Sequence, residues 1–467
     1  MNWFEKGYNV SLRYALVGLC ILFVSEIAKA ETFCVSDAIV LQNALTTAES
    51  NGEDDIIQAQ HGTYYGNFTY SSIDGNGITL LGGYSFGCVD RVVDALNTVL
   101  DGLGSASALY LYNISGGDIF VEGFTIQNGN TTGNGGGIYA LSSSASGNAG
   151  DVAIMSNIIR ENTAHFGGGG ISALSLSHSG LAGDVMLTYN IITGNTGYPG
   201  LGGGVYAYSS AGTESGDVIL SNNSITGNSV ECNGGGVFAV SSGRTKSGNV
   251  ILTNNMIRAN TAGQACGGGG ISAYCSSSSG ISGDVMLSNN VISENTAQSG
   301  GGVQAYSSGA TKSGNVILTN NTVTRNTADY GGGIYLQVES SRNNIYNNII
   351  WGNLALVVGK DIGFEWFSPE GNTKGYNNDY SDLYGTWTDS GDNIDQDPLF
   401  VNFATGDFHL QLNSPCIDAG TNNAPDLPTR DFEGNPRIVD GYNNGTAEID
   451  IGAYEYVPQT DGYTGEL

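Results

Sequence analysis

Aromatic side chains recur at two fixed positions of a repeated segment in the middle of this 467-residue chain. These candidate ligand-binding residues form two rows, Tyr139, Tyr206, Phe238 and Tyr335 in the first and Tyr208, Tyr274 and Tyr306 in the second. If both rows lie on the outside of stacked strands, their rings could stack on the sugar rings of a polysaccharide. The alternative is that aromatic residues favour sheet surfaces and pack on one another. Ser172, Ser272 and Gln304 interrupt the first row, which argues against a continuous track.

Carboxylates recur at the position that opens the second strand of each repeat. In successive repeats this position holds Asp151, Asp184, Asp217, Asn249, Asp284 and Asn315. Equivalent positions on adjacent coils lie about 4.8 Å apart, so the first three would place like charges side by side. Oxygen ligands suit Ca²⁺, which makes Asp151, Asp184 and Asp217 a candidate calcium site and Ca²⁺ the one candidate cofactor. The alternative is a row of aspartates that bond backbone N–H groups at their own turns.

Residue types typical of catalysis show no comparable order. The four histidines share no repeat position: His61, His165, His178 and His409. Glycoside hydrolysis needs two facing carboxylates, but a chain with 44 acidic residues always offers some pair, so none is singled out. In the C-terminal region, Asp418, Asp431, Arg437 and Asp450 are expected to hold loops together. Catalytic residues therefore stay unassigned, and the sequence favours a binding protein over an enzyme.

The charge balance narrows the class of partner. With 44 acidic and 15 basic residues the formal net charge is −29 at pH 7. Such a surface repels nucleic acid and anionic membranes. At the N-terminus, Lys6 and Arg13 precede an apolar stretch that ends at Ala28-Lys29-Ala30, the pattern of a secretory signal peptide. No later stretch is long enough to span a bilayer. We therefore expect a secreted, extracellular protein, at most associated with a cell surface, without a transmembrane segment.

The spacing of all these residues comes from a repeat of 31 to 34 residues. A run of three or more glycines is followed by a β-branched residue at Ile138, Ile171, Val205, Val237, Ile271, Val303 and Ile334. Short β segments separated by Gly, Asn and Ser are typical of strands, and each repeat contains three of them. A fixed period of this size indicates stacked units. The sequence thus predicts an all-β solenoid in which each repeat is one coil.

Within a repeat, the alternation of a strand predicts which side chains face the core. In the repeat 202–229 these are Val205 and Ala207 in the first strand and Ile225 in the third, while the second strand is apolar throughout and ambiguous. Three residues after the Ile225 position, every repeat has an asparagine: Asn162, Asn195, Asn228, Asn260, Asn295, Asn326 and Asn353. Stacking predicts a ladder in which each amide bonds its copy one coil away. Asparagine also tolerates the left-handed backbone of a sharp corner.

Four cysteines are placed to form disulfides in an oxidising compartment. Cys232 and Cys266 occupy the same position in adjacent repeats, so their separation falls inside the ~4.4–6.8 Å range of Cα distances in disulfides. Cys34 and Cys88 flank the N-terminal segment and are the next pair. Cys275 and Cys416 have no evident partner.

Four regions follow along the chain. Residues 1–30 form the signal peptide, 31–106 an N-terminal cap and the first coils, 107–355 a β-helix with seven glycine-triplet coils, and 356–467 a C-terminal capping region. In the N-terminal cap, Ser36 is expected to N-cap a helix that runs to about Ser50 and closes the first coil.

Two resemblances refine the fold. The repeats, each with a glycine block and a block such as Ile225-Thr226-Gly227-Asn228, resemble those of polymorphic outer-membrane proteins, where Phe replaces the Ile. The segments 395–400, 414–420, 431–437 and 450–455 look like the choice-of-anchor Q region of secreted bacterial β-helix proteins. These resemblances imply a right-handed parallel β-helix of the pectin-lyase-like class.

The predicted function is extracellular binding, with a polysaccharide or cell-surface glycan as partner. Two alternatives stay open on the same scaffold. One is a polysaccharide lyase or glycoside hydrolase, and the other is an adhesin or matrix protein. A fold alone does not choose among them.

Overall fold

The computed structural model describes residues 30–263, 266–336, 342–364 and 373–458. Within these ranges the chain is a parallel β-solenoid of about ten turns with little helix. The predicted signal peptide lies almost entirely outside the described residues. Among the described residues, no helix has both the length and the apolar character needed to cross a bilayer.

Each coil contributes strands to three long faces, numbered here in the order in which the chain passes through them. Face 1 follows the glycine triplets and consists of Phe68–Ser72, Leu109–Asn113, Ile138–Ser144, Ile171–Ser177, Val205–Ala211, Val237–Gly243, Ile271–Ser277, Val303–Gly309, Ile334–Leu336, Ile362–Phe364 and Leu383–Tyr384. Face 2 consists of Glu31–Val35, Asp55–Gln60, Ile78–Tyr84, Ile119–Glu122, Val152–Met155, Val185–Thr188, Val218–Ser221, Val250–Thr253, Val285–Ser288, Asn315–Thr319, Arg342–Tyr346, Thr373–Tyr376 and Asp389–Gly391.

Face 3 and a short fourth face complete the coil. Face 3 consists of Gly62–Tyr65, Thr98–Asp101, Thr125–Gln127, Ile158–Arg160, Ile191–Thr193, Ser224–Thr226, Met256–Arg258, Val291–Ser293, Thr322–Thr324, Ile349–Trp351 and Asp379–Tyr380. Face 4 has the two-residue strands Asn130–Thr131, Thr163–Ala164, Thr196–Gly197, Ser229–Val230 and Thr261–Ala262, and farther along Thr327–Tyr330 pairs with Leu354–Val358. The strands of the solenoid therefore continue into the segment 356–467.

The side chains predicted to face the core do so. Val205, Ala207 and Ile225 are fully buried. The structure also settles the ambiguous second strand, where Val218 and Leu220 point inward and Ile219 lies on the outer side. Burying these aliphatic groups, at about 25 cal/mol per Å² of apolar surface, is the main term that holds the coils together.

The asparagine ladder predicted after face 3 is present. Nδ2 of Asn228 donates to Oδ1 of Asn260 at 3.0 Å, and its own Oδ1 accepts from Nδ2 of Asn195 at 3.0 Å. A second ladder, not foreseen from the sequence, runs between faces 2 and 3 through Asn157, Asn190, Asn223, Asn255, Asn290, Asn321, Asn348, Asn378 and Asn393. The left-handed residue of each corner is the one before the ladder asparagine, such as Asn222 (φ 56°) and Gly227 (φ 62°).

The glycine triplets have two separate causes. The first glycine is left-handed, as at Gly202 with φ 67°, a conformation that glycine adopts without steric cost. The second lies against the next coil, since a Cβ on Gly203 would come 2.4 Å from the carbonyl oxygen of Gly235. The triplet therefore turns the chain and lets adjacent backbones approach.

A helix covers the N-terminal end of the solenoid, and the C-terminal segment packs on the outside of face 3. The N-terminal helix spans Ala38–Ala48, and its N-cap is Asp37 rather than Ser36, because the Asp37 carboxylate accepts from the N–H groups of Ile39 and Val40. Short 3₁₀ turns lie at Phe86–Cys88 and Ala95–Asn97. At the other end, the hairpins Phe400–Asn402 with Asp407–Leu410 and Ile438–Val439 with Glu448–Ile449 fold back on the outside of face 3.

Candidate ligand-binding face

The parallel register of face 1 brings the predicted aromatic residues onto one outer surface. Tyr206 is paired with Phe238 and Tyr274 with Tyr306, so both rows follow neighbouring coils as the sequence predicts. The rings are half-buried, except that only 8 % of Tyr274 is exposed. Tyr139 lies two coils before Tyr206 and stacks on Tyr110 with 4.8 Å between ring centroids, and Tyr335 is paired in register with Gln304.

Five of these residues form one continuous group, here called the aromatic cluster. In the order in which their rings contact one another they are Tyr208, Tyr206, Phe238, Tyr274 and Tyr306. Successive ring centroids along it are 6.0, 5.7, 5.5 and 4.4 Å apart. The first three distances lie within the ~4.5–7 Å range of favourable aromatic pairs, and the fourth lies at its lower limit. The expectation that polar residues break the track is therefore wrong across this stretch, because the contacts cross from one row to the other where Ser272 and Gln304 occupy the first row.

Two hydrogen bonds of the Tyr274 hydroxyl fix the place where the ring contacts pass from the first row to the second. That hydroxyl accepts from Oγ of Ser272 at 2.5 Å and donates to Oε1 of Gln304 at 2.8 Å. The small polar residues of the first row therefore hold the ring of Tyr274 over their own positions. The ring contacts Phe238 on one side and Tyr306 on the other.

An open cavity of about 490 Å³ lies beside the aromatic cluster. Its lining residues are Asn233, Phe238, Val240, Cys266, Gly267, Tyr274, Ser276, Gln298, Ser299, Gln304 and Tyr306. It therefore has an aromatic wall from face 1 and a polar wall, which is formed by the loops that precede the glycine triplets together with Ser276 and Gln304 of face 1. The lining combines aromatic rings with several uncharged polar side chains, which suits a small polar ligand.

The cavity is electrically neutral. None of its described lining residues is Asp, Glu, His, Lys or Arg. Burial raises the pKa of Tyr274, and it raises the pKa of the neighbouring Tyr206 to about 12. Both phenols therefore stay protonated at neutral pH. The site can offer aromatic stacking and uncharged hydrogen bonds to a ligand.

A disulfide fixes the polar wall of this cavity. Cys232 and Cys266 are bonded with their Cα atoms 5.0 Å apart, and Cys34 and Cys88 form the second predicted pair at 5.8 Å. Cys275 and Cys416 are buried and unpaired, as expected. Because Asn233 follows Cys232 and Gly267 follows Cys266, the cross-link holds two lining residues against each other.

The row of carboxylates at the start of face 2 is engaged with the backbone. Oδ1 of Asp151 accepts from the N–H of Asp184 at 2.8 Å, and Oδ1 of Asp184 accepts from the N–H of Asp217 at 2.8 Å. Within the described ranges no three His, Cys, Asp or Glu side chains are grouped as a metal site requires. Calcium binding at Asp151, Asp184 and Asp217 stays a prediction from the sequence.

Calcium titration decides between this prediction and the alternative, in which the aspartates only bond backbone N–H groups. Because one oxygen of each carboxylate already accepts a backbone N–H, we expect millimolar CaCl₂ to leave the melting temperature unchanged relative to the same ionic strength of NaCl. A Ca²⁺-dependent rise that the Asp184→Asn variant loses would contradict this expectation and establish the site.

The remaining titratable groups of interest lie in the C-terminal segment, away from the cavity. His409 sits between Asp407 at 2.6 Å and Glu433 at 3.2 Å. Asp431 and Asp450 are buried and accept backbone N–H groups of their own loops. Asp418 likewise accepts from the N–H groups of residues 441 and 442. These aspartates hold loops together, as the sequence analysis expected.

Sequence reasoning missed the three carboxamides of the cavity, Asn233, Gln298 and Gln304. Asn233 carries a usable signal, since it follows a cysteine predicted to cross-link adjacent coils. Gln304 appears in the sequence only as an interruption of the aromatic row. Gln298 precedes a glycine triplet with no pattern that marks it.

Comparison with known proteins adds no family assignment. No protein-family model matches this chain, and no curated protein matches it. The fold and the cavity are therefore the basis for a functional conclusion.

Proposed function

We propose that this protein is secreted and binds a saccharide chain, with the aromatic cluster and the adjoining cavity of face 1 as its binding site. The observation that carries the proposal is the continuity of five rings that lead into a cavity with an uncharged polar wall. Half-buried rings present flat apolar faces, and the carboxamides beside them supply hydrogen bonds. Pyranose rings have this same combination of apolar faces and polar edges.

The location of the protein rests on different observations. Two disulfides and the absence of a membrane-spanning helix among the described residues are compatible with an extracellular protein. The N-terminal pattern of residues 1–30 supports secretion by a signal peptide. Association with a cell surface would then come from the bound glycan.

Removing the phenyl ring of Phe238 tests the binding site. We expect Phe238→Ala to weaken binding of the best ligand on a glycan array about tenfold, which corresponds to about 1.4 kcal/mol, because the ring lies between Tyr206 and Tyr274. Calorimetric titration gives the affinity. The matched control is Tyr346→Ala, which removes a ring stacked on Tyr376 at 5.4 Å on face 2, away from the cavity.

Three outcomes separate the candidate functions. Binding that Phe238→Ala weakens and Tyr346→Ala preserves supports the proposal. Release of reducing ends or unsaturated uronates from the bound glycan would favour the lyase or hydrolase alternative. Silence in both the array and the turnover assays would favour an adhesin or matrix protein. Equal affinities of wild type and Phe238→Ala would remove the aromatic cluster from the binding site.

A further inference from the structure

We infer that the ligand of this cavity is an uncharged saccharide that carries acetamido groups, recognised by the amide NH₂ groups of Asn233 and Gln304 beside Phe238. The inference rests on the proposed function and specifies the chemistry of the ligand. It follows from the direction of the hydrogen bonds in the polar wall, from the absence of charge there, and from the apolar surface next to it.

The side-chain oxygens of Asn233 and Gln304 are already engaged in hydrogen bonds. Oδ1 of Asn233 accepts from the N–H of Gly267 at 2.7 Å, and Oε1 of Gln304 accepts from the hydroxyl of Tyr274 at 2.8 Å. Neither NH₂ group has a hydrogen-bond partner among the residues that the structure describes. Both amides line the cavity, and Gln304 is only 9 % exposed. At Asn233 and Gln304 the polar wall therefore presents hydrogen-bond donors, and these donors fit a hydrogen-bond acceptor on the ligand.

The side chains of Asn233 and Gln304 both lie beside Gly267. A Cβ on Gly267 would lie 2.1 Å from Oε1 of Gln304, and the N–H of Gly267 donates to Oδ1 of Asn233. The Cys232–Cys266 disulfide holds the residues that precede Asn233 and Gly267. The two carboxamides are thus held next to the same glycine before a ligand arrives, which lowers the ordering cost of binding.

The lack of charge and the apolar surface of the cavity decide which hydrogen-bond acceptor on the ligand fits best. A carboxylate would enter a cavity without a cationic lining residue, on a protein of net charge −29, so a polyuronate is disfavoured. An acetamido group combines a carbonyl acceptor with a methyl group, and the cavity offers Phe238 and Val240 next to the amide donors. A saccharide with hydroxyl groups alone can stack its ring faces on the aromatic residues, but it has no methyl group to place against Phe238 and Val240 beside the amide donors.

The test compares three oligosaccharides by calorimetry on the full chain: β-1,4-linked N-acetylglucosamine, β-1,4-linked glucose and oligogalacturonate. The first two share a linkage and differ in the acetamido group. We expect the N-acetylated oligomer to bind at least tenfold more tightly than the glucose oligomer, and the oligogalacturonate to bind least. This comparison uses wild-type protein and does not depend on the folding of a variant.

Two substitutions assign the preference to residues. Asn233→Asp and Gln304→Glu keep an oxygen for Gly267 and Tyr274 but lose the NH₂ group, and each should weaken binding of the N-acetylated oligomer about tenfold. The control is Asn148→Asp, the same exchange at an exposed turn where Oδ1 accepts from the N–H of Leu181 at 3.0 Å. It should leave binding unchanged, and Asn233→Ser offers a neutral second variant.

The outcomes distinguish the inference from the proposed function. Equal binding of the glucose and N-acetylglucosamine oligomers, or a preference that survives both Asn233→Asp and Gln304→Glu, would overturn the inference and leave saccharide binding intact. No binding of any saccharide to the wild type would overturn the proposed function itself. An acetamido preference that both substitutions abolish supports the inference.

Discussion

Replacing Asn228 by alanine is expected to lower the free energy of unfolding by more than about 3 kcal/mol. The Asn228 side chain is buried and joins three coils. Its Nδ2 donates to the carbonyl oxygen of Ile192 and to Oδ1 of Asn260, both at 3.0 Å. Its Oδ1 accepts from the backbone N–H and from Nδ2 of Asn195, also at 3.0 Å. Alanine removes all four bonds. Nδ2 of Asn195 keeps its bond to the carbonyl oxygen of Ile159, and Oδ1 of Asn260 keeps the backbone N–H of residue 228. The backbone N–H of Asn195 loses its acceptor in the interior, where an unsatisfied group costs about 1–3 kcal/mol and each lost bond adds about 1 kcal/mol.

Urea unfolding followed by circular dichroism measures this loss. Asn148→Ala serves as the control, because that side chain is exposed and accepts one backbone N–H at 3.0 Å, so we expect a change below about 1 kcal/mol. Because the coils depend on nearest neighbours, hydrogen exchange should rise first in the coils that contain Asn195 and Asn260. A similar stability for Asn228→Ala and Asn148→Ala would show that the ladder is not a source of stability.

The repeat period made most of the solenoid predictable, but it did not predict the second asparagine ladder. The buried positions and the first ladder follow from the period because identical residues recur every coil, as at Asn195, Asn228 and Asn260. The second ladder was missed at pairs such as Asn222-Asn223, where the sequence does not say which asparagine faces inward. The structure shows that the first is left-handed and the second bonds its neighbours.

The candidate site was predictable in its rows and not in its contacts. Register alone places Tyr206 beside Phe238. The step to Tyr274 depends on a hydrogen bond from its hydroxyl to Gln304, a side-chain choice that no period encodes. The cavity depends on loops before the glycine triplets, which vary in sequence from coil to coil. Positions that vary from coil to coil therefore determine the chemistry of the candidate site, and positions that recur in every coil build the scaffold.

The docking of the C-terminal segment lies outside any repeat, and it depends on contacts between residues far apart in sequence. Nδ2 of Asn289 donates to the carbonyl oxygen of Arg430 at 2.6 Å, and Nδ2 of Asn320 donates to that of Asp450 at 2.9 Å. Both asparagines are left-handed corner residues of the solenoid. These corners hold the C-terminal segment against the outside of face 3.

Replacing Arg437 by methionine is expected to destabilise this docked segment by about 3–5 kcal/mol. The guanidinium is 1 % exposed, bonds to Oε2 of Glu455 at 3.1 Å and donates to the carbonyl oxygen of Ala453 at 2.9 Å. It also donates to Oδ1 of Asn289, which links the segment to the solenoid. Methionine keeps much of the volume but leaves the Glu455 carboxylate buried without its cation. Hydrogen exchange over residues 400–456 and thermal unfolding measure the loss.

The pH dependence separates this electrostatic effect from a packing defect. Burial raises the pKa of Glu455, and removing the guanidinium raises it further because the opposing cation is gone. A carboxyl whose pKa is raised by folding contributes stability below its unfolded pKa, near 4, and loses it as pH rises through the folded value. Because the folded pKa of Glu455 is about 9 in wild type and higher without the guanidinium, only wild-type Glu455 ionises just above pH 9. Arg437→Met should therefore fall further below wild type at pH 10 than at pH 7, and Glu455→Gln in the same chain should restore part of the difference. Arg160→Met, at an exposed arginine that bonds Gln127, should change stability by less than about 0.5 kcal/mol at either pH. If Arg437→Met shows the same deficit at both pH values, the loss comes from packing, because an unpaired carboxylate would be relieved by protonation.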